Sequence, residues 1–490
     1  MFFNFRKKEQ DKKLSKALDD NLEKFKQLFD TDKNNDIVIR EFFIKIDGLK
    51  TGAFIVFVDG LVNSDSINDF ILRPLMSIGS CGLKSVKKLV SDSILPYCEI
   101  DIGKNTDEVV KGINEGNTAL IVDGINQAWL IDTKGFKERS VERSLSEVVI
   151  RGPHESFTEN IRTNTSLIRR KIKSKDLISE KHIVGKKSNT PCVLMYDKTL
   201  ADEHILAEAK KRIKAIDADF MFDSGQMENY IEDNNYRILP QMIATERPDH
   251  VSFCISKGQI ALIVDGSPQV LIFPTNVAQI SKAVEDNYLR KPYRAFLLLI
   301  RSMAYLISLF LTPFFVAILT YHSFLLPLDI LFTIEASYEK VPFSTVMEFI
   351  GLEFAFELIR EASTRMPSTL GSTLGIIGGL IVGEATVDAN LVSPIGIIII
   401  AIVAISTFAI PNYFVGYGVR ISKFIYLFLG GISGFLGLAL GFFLFVVNLS
   451  SMKSFGQEYF NGIFPCRNGD GVKISVFYSE EPATQTGGEK

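Results

Sequence analysis

Long apolar runs are concentrated in the part of this 490-residue chain that follows Lys291, at about 295–299, 374–382, 396–409 and 424–447. Before Lys291 charged and apolar residues are mixed, as in a domain that folds in water. Apolar stretches of roughly 18 residues or more are typical of membrane-spanning helices. The pattern predicts a soluble half followed by an α-helical transmembrane domain, which we place at residues 286–450.

One helix-length segment of the membrane half carries charges. Between Pro342 and Pro367 an apolar sequence is interrupted by six ionisable residues, Glu348, Glu353, Glu357, Arg360, Glu361 and Arg365. Charged side chains are costly in a bilayer unless they face a bundle interior or water. In an oligomer such helices would line a water-filled path that favours cations, so these residues are predicted to line or gate a pore. An interfacial helix with its charges among lipid headgroups is the alternative.

Glycines recur at close spacing in two of the apolar stretches. The first ladder is Gly371, Gly375, Gly379 and Gly383, and the second is Gly430, Gly434, Gly437 and Gly441. Small residues spaced in this way let membrane helices touch backbone to backbone. Both ladders are predicted to be helix-packing sites, within one chain or between chains.

Basic residues before the first span set the expected orientation. Arg290, Lys291 and Arg294 precede a span at about 296–320, and the positive-inside rule puts that end in the cytoplasm. The N-terminus lacks a signal-peptide core, so the soluble half is expected there too. Further spans are predicted at about 369–383, 393–408 and 423–448. With 342–366 as a fifth span the C-terminal tail lies outside, and with four spans it lies inside.

An internal repeat organises the soluble half. Residues 117–131 and 259–273 both read as β-hairpins around Asp-Gly turns, each preceded by an apolar strand and an amphipathic helix. We assign the aspartates to turn geometry rather than to phosphate or metal binding. The prediction is an α/β half of two related subdomains, 36–150 and 189–285, after a helical lead (1–35) and before a polar tail (451–490). Between them lies a basic connector (151–188), either solvated or facing acidic surfaces or lipid headgroups.

Several functional classes find no support. The net charge of −3 comes without the basic face of a nucleic-acid binder. The scattered cysteines and histidines predict no metal, no cofactor and no disulfide framework. Walker A, GxSxG and GxGxxG motifs are missing from the sequence, so the chain is not expected to be an enzyme. The repeat lies in the soluble half rather than among the spans, which argues against a secondary transporter.

Three stretches of the sequence carry a family resemblance. They are VIRGPHESFTENIRTNTSLIRRK at 149–171, TERPDHV at 245–251 followed by ALIVDGSPQVLIFP at 261–274, and the segment 341–394 with the charged helix and first glycine ladder. Together they resemble the A subunit of the GerA family of spore germinant receptors. The likeness runs from about residue 36 to residue 450. The chain departs from the family after Ser450, where it lacks the usual proline- and arginine-rich ending.

The resemblance implies an integral inner-membrane protein of dormant endospores that senses nutrients together with a transporter-like B subunit and a lipoprotein C subunit. It further implies a homo-oligomer in lipid that forms a nutrient-gated cation channel and thereby starts germination. The family's polar membrane helix falls on the six ionisable residues of 342–366. A secondary transporter, or a membrane-tethered signalling or scaffold subunit without its own pore, stays open as an alternative.

Overall fold

The computed structural model describes residues 13–46, 49–77, 100–135, 147, 149, 151–365, 379 and 381–460. The chain divides into an α/β unit, Met1–Asp233 with Met242–Pro274, and a helical unit, Asn234–Gln241 with Thr275–Lys490. The predicted order of an α/β half followed by a helical half is confirmed. Most of the predicted span at 369–383 lies outside the described residues.

Two antiparallel five-stranded sheets with the same strand order form the α/β unit. The first has the order β1-β2-β4-β5-β3, with β1 Ile37–Ile46, β2 Leu49–Val58, β3 Ile100–Gly103, β4 Asn117–Val122 and β5 Ala128–Asp132. The second has the order β6-β7-β9-β10-β8, with β6 Leu177–Val184, β7 Thr190–Asp197, β8 Ile243–Thr245, β9 Ile260–Val264 and β10 Val270–Phe273. The sequence repeat is therefore a repeat of topology.

Helices cover the sheets of the α/β unit. They are α1 Leu18–Phe29, α2 Thr106–Asn114, α3 Ile161–Lys171, α4 Glu203–Ala215, α5 Ser224–Ile231 and α6 Pro248–Ile255, with a further helical stretch at Ser64–Ser66, Ile67–Leu72 and Arg73–Ser77. On one face of the first sheet Phe25 and Phe29 of α1 pack with Val109 of α2. On the other face Trp129 packs with Ile71. Both faces are apolar and buried, so the central strand β4 is buried along its length.

The aspartates of the two hairpin turns each hold the start of a helix. The glycine that follows each aspartate has a positive φ, 82° and 85°, which glycine adopts at low cost. Asp123 Oδ1 accepts a hydrogen bond from the backbone N–H of Leu18, and Asp265 Oδ1 accepts one from that of Ile161, both at 3.1 Å. These are the first residues of α1 and α3. The repeat thus includes helices that the sequence analysis assigned to the lead and the connector.

The basic residues of α3 pair with acids of the same chain. The Arg169 guanidinium is buried and donates to both oxygens of Asp36 at 2.7 Å and to Asn34 at 2.9 Å. Arg162 pairs with Asp59 at 2.8 Å. At least one basic residue of the connector helix is therefore not solvated: Arg169, 2% exposed, ties the helix to the start of β1.

Five helices make up most of the helical unit, α7 Lys291–Tyr321, α8 Leu328–Tyr338, α9 Thr345–Thr364, α10 Pro394–Phe408 and α11 Tyr413–Ser451. Four of them meet in one apolar cluster formed by Val316 of α7, Phe349 and Leu352 of α9, Ile400 of α10 and Leu427 of α11. By length and composition α7 and α11 can cross a membrane, and α10 is a shorter apolar helix.

The last helix reverses direction at Gly434, whose φ of 58° and ψ of −136° are not helical. Tyr426 Oη donates to the Gly441 carbonyl at 3.2 Å, whereas 15 residues of straight helix span about 22 Å. We call residues 413–433 the first arm and 435–451 the second arm. The single span predicted at 423–448 is wrong, because glycine tolerates the positive φ that lets the chain turn back.

Candidate functional site

The charged helix α9 inverts the usual arrangement of a water-soluble helix. Its N-terminus is capped by the Ser344 side chain, which accepts from the Met347 N–H at 3.5 Å. Glu348 and Glu353 are buried, at 3% and 1% exposure, whereas Phe354 and Leu358 are exposed. Carboxylates inside and apolar side chains outside are typical of a helix in a membrane bundle.

Glu353 lies at the centre of the helical unit, where three helices meet. Its carboxylate forms an ion pair with the Lys423 ammonium of α11 and accepts from Thr312 Oγ1 of α7 at 2.9 Å. The side chains of Glu353 and Lys423 are 1% and 3% exposed. Both charges are removed from water. Loss of either partner would therefore leave the other charge buried without compensation.

One turn further along α9, Glu357 forms a second charged group. Its Oε2 accepts from Arg420 of α11 at 2.9 Å, and its Oε1 lies 3.8 Å from Arg360. The Arg360 guanidinium lies 5.1 Å from the ring centroid of Phe408 in α10, and that of Arg420 lies 4.1 Å from the Tyr417 ring. Aromatic faces stabilise these cations where little water reaches them.

Glu348 anchors the other end of α9 to α10. Its Oε1 accepts from the backbone N–H and the hydroxyl of Ser393, at 2.6 and 2.7 Å. Gly396 leaves room for this contact, because a Cβ there would lie 2.7 Å from the same oxygen. Glu348 Oε2 is buried and finds no hydrogen-bond partner among the residues that the structure describes.

Glu361 and Arg365, at the C-terminal end of α9, form an exposed pair at 2.6 Å. Both side chains are more than half exposed. The six predicted site residues thus separate into an anchor at Glu348, a buried charge cluster and this surface pair. The buried charge cluster consists of Glu353, Glu357, Arg360, Arg420 and Lys423, and it binds α9 to the first arm of α11.

Sequence comparison identifies the family. The family described as Bacillus/Clostridium GerA spore germination protein matches residues 23–484. The chain belongs to the GerA family. The resemblance inferred from the three motifs is therefore confirmed.

Relatives align with almost the whole of this GerA-family chain. Spore germination protein KA of Bacillus subtilis (strain 168) is 36% identical over 445 residues, 91% of this chain and 81% of that protein. Spore germination protein A1 of the same organism is 32% identical over 452 residues, 92% of each chain. The crystal structure of the N-terminal domain of the A subunit of the Bacillus megaterium spore germinant receptor GerK3 is 31% identical and covers 54% of this chain and 96% of that domain, with a TM-score of 0.42. The two curated relatives are named as spore germination proteins, consistent with a non-enzymatic role.

The two glycine ladders of this GerA-family chain lie in different surroundings. Gly371 and Gly375 are outside the described residues, and a Cβ at Gly379 or Gly383 would meet no atom of the described residues within 4 Å. The second ladder lies between the arms of α11, where a Cβ at Gly441 would come within 2.7 Å of the Tyr426 ring. A Cβ at Gly430, Gly434 or Gly437 would likewise lie 3.1 Å or less from a neighbouring atom.

Two of the three cations of the buried charge cluster, Arg420 and Lys423, are not among the residues that the sequence analysis predicts to line or gate a pore. Neither are Thr312 and Ser393, which bind Glu353 and Glu348. The usable signal was a match of spacing: cations three residues apart on α11 face carboxylates four residues apart, Glu353 and Glu357, on α9. That match indicates a pair of facing helices, although 70 residues separate the partners Glu353 and Lys423.

Proposed function

We propose that this GerA-family chain is the A subunit of a nutrient germinant receptor in the inner membrane of the endospore. The α/β half lies in the cytoplasm and the helical unit in the membrane. Copies of the chain assemble into a ring that conducts cations once nutrients are sensed, together with a transporter-like B subunit and a lipoprotein C subunit. Family membership and the two helices long enough to cross a membrane support this proposal.

The ion pair of Glu353 and Lys423 carries the proposal of a gate. It lies between α9 and α11, next to the apolar cluster of Phe349, Leu352 and Leu427, with Thr312 of α7 as a third partner. While the pair holds, the Lys423 ammonium neutralises the Glu353 carboxylate and apolar neighbours exclude water. Separation of α9 from the first arm would expose Glu353 and Glu357, whose carboxylates favour cations in a hydrated path. The described arrangement is then the closed gate.

The helix directions support six crossing segments rather than the four or five predicted. Val346 at the start of α9 lies against Gly431, near the reversal of α11, while Glu357 lies against Arg420 in the first half of the first arm. α9 therefore runs antiparallel to the first arm. We propose α7, α9, α10 and the two arms of α11 as five of the segments, and 369–383, largely outside the described residues, as the sixth.

The gate is tested by neutralising its carboxylates in the E353Q/E357Q variant. Three cations, Arg360, Arg420 and Lys423, then stay at the path without a counter-charge, so we expect at least a tenfold loss of single-channel cation conductance in planar bilayers that contain the purified receptor complex and a mixture of amino acids and sugars. The exposed Glu335 of α8 lies outside the six predicted site residues and offers a matched control, and E335Q is expected to conduct as the wild type does. An unchanged conductance in E353Q/E357Q, with assembly preserved, contradicts the channel proposal.

A second candidate function is a signalling subunit without its own pore. It is favoured by one observation: Glu353 and Glu357 already find cationic partners within a single chain, which explains their presence as internal ties of a bundle. Bilayers with the purified chain distinguish the two functions. Discrete current steps support the channel, and their absence, together with a nutrient response that depends on this chain, supports the subunit without a pore.

A further inference from the structure

A short segment from the middle of the second sheet's sequence belongs to the helical unit. The chain leaves the α/β unit after Asp233, contributes Asn234–Gln241 to the helical unit and returns to the α/β unit at Met242. We call residues 234–241 the clasp loop. Gln241 closes it, because its side chain donates to the Asn234 carbonyl at 2.6 Å and accepts from the Asn234 N–H at 3.3 Å.

The clasp loop contacts the base of both arms of α11. Arg237 donates to Asn448 and, at 3.1 Å, to Ser451 Oγ at the end of the second arm. Leu239 lies against Gly418 in the first arm, where an added Cβ would come within 2.7 Å of its Cδ2. Because Leu239 packs directly against Gly418, a shift of the clasp loop pushes the first arm with it.

The segment that follows α11 fixes the clasp loop from the other side. It forms a small hairpin of β11 Lys453–Ser454 and β12 Gln457–Glu458. Tyr459, which is 1% exposed, donates its hydroxyl hydrogen to the Pro240 carbonyl at 2.7 Å. The start of the polar tail is therefore an ordered part of the helical unit, at the end where α11 begins.

Ser454 joins two of the three places where the chain passes between the units, at Gln241 and at Thr275. Its hydroxyl donates to the Gln241 carbonyl at 2.8 Å and accepts from the Thr275 N–H at 3.1 Å, and the residue is completely buried. Gln241 and Thr275 are each two residues from a strand of the second sheet, at Ile243 of β8 and Phe273 of β10. Two residues of extended chain span at most about 7 Å. Each of these strands is therefore tethered to the joint at Ser454 by a very short stretch of chain.

We infer that the clasp loop and Ser454 form the coupling joint that carries a change in the second sheet to the gate. The inference rests on the proposed function. Gly418 precedes Arg420 and Lys423 by two and five residues on one helix, so a displacement of the first arm at Gly418 moves both cations against the α9 carboxylates. The clasp loop thus sets the position of Arg420 and Lys423, the two cations that the first arm contributes to the buried charge cluster, without contacting the conducted ion.

The coupling joint is tested in spores that carry L239A, R237M or S454A. The probe is a broth of amino acids and sugars, and the readout is the rate of potassium release, with spores lacking the chain as the baseline. Each variant is expected to release potassium at least fivefold more slowly than wild type at equal chain level on immunoblots. The matched control S406A removes a serine hydroxyl of the helical unit whose bond, to Ile402, stays within α10. It is expected to respond within twofold of wild type.

Leu239 and Arg237 are only half-buried, so L239A and R237M keep the test decisive even if S454A fails to accumulate. Potassium release within twofold of wild type in both variants, at wild-type chain level, overturns the inference.

A second readout separates coupling from conduction: in planar bilayers the joint variants are expected to keep the wild-type single-channel conductance, which E353Q/E357Q changes. A changed conductance in L239A would make the joint part of the conduction path and overturn a coupling role. If wild-type spores respond no better than spores lacking the chain, the proposed function fails first and the inference falls with it.

Discussion

At the scale of single residues, the Glu353–Lys423 pair explains why charges are tolerated in an apolar helix contact. Removing one partner of a buried pair typically costs about 3–5 kcal/mol, because the other charge is left without compensation, whereas replacing both is often neutral. K423M is therefore expected to lower the unfolding midpoint of the full chain in detergent. E353Q/K423M, which keeps an acceptor for Thr312, is expected to recover most of the loss. Equal midpoints in the two variants would mean that water reaches Glu353.

A second residue-scale prediction concerns Glu147 in the α/β unit. Burial raises its pKa to about 7, although a hydrogen bond from Thr245 at 2.7 Å works in the opposite direction. Because the folded pKa lies above the unfolded value, the stability contributed by the protonated carboxyl is complete below about pH 4.5 and is lost as the pH rises to about 7.

The E147Q variant removes this pH dependence, since glutamine keeps an acceptor for Thr245 and cannot ionise. We expect it to unfold at the same temperature as wild type at pH 4.5 and to be more stable by up to about 3 kcal/mol at pH 8. Thermal unfolding of the full chain in detergent at both pH values measures the difference. The exposed Glu203 supplies the control E203Q, and a pH-independent gap between E147Q and wild type would contradict the prediction.

At the scale of elements, what the sequence predicted correctly depends on local patterns. The two β-hairpins were found because each combines apolar strands with an Asp-Gly turn, and those signals lie within 15 residues of one another. The helices α1 and α3 were assigned outside the repeat, because the aspartates that hold them are 105 and 104 residues away along the chain. Propensity and periodicity carry no information about such partners.

The reversal of α11 shows the same limit in the membrane half. Hydropathy along 413–451 is apolar on both sides of Gly434, so it fits one long helix as well as two antiparallel arms. The second glycine ladder gave a close-packing signal, although it could not tell packing within a helix hairpin from packing between chains. The non-helical dihedral angles of Gly434 and the contact of Tyr426 with Gly441 decide for the hairpin.

At the scale of the whole molecule, the reversal sets which chain ends lie together. Both ends of α11 lie at the same end of the helical unit, because the clasp loop contacts Gly418 and Asn448. The opposite end holds the turn at Gly434, where the Tyr321 hydroxyl at the end of α7 donates to the Ile432 carbonyl at 2.5 Å. If the unit crosses a membrane, the start of the tail lies on the side of Tyr413, whereas the four-span and five-span counts both put them on opposite sides because each takes 423–448 as one span.

Cysteine labelling checks this arrangement in a chain whose five native cysteines are replaced by alanine. Single cysteines are introduced at the exposed positions Tyr413, Ser433 and Glu458, and membrane vesicles of both orientations are treated with a membrane-impermeant maleimide. Y413C and E458C are expected to react in inside-out vesicles only, and S433C in right-side-out vesicles only, because each arm crosses the bilayer once. A straight α11 would put Y413C and E458C on opposite sides, and labelling of all three from one side would place the helix at the membrane surface. Either outcome would contradict the antiparallel arrangement of the two arms, on which the gate and the coupling joint both depend.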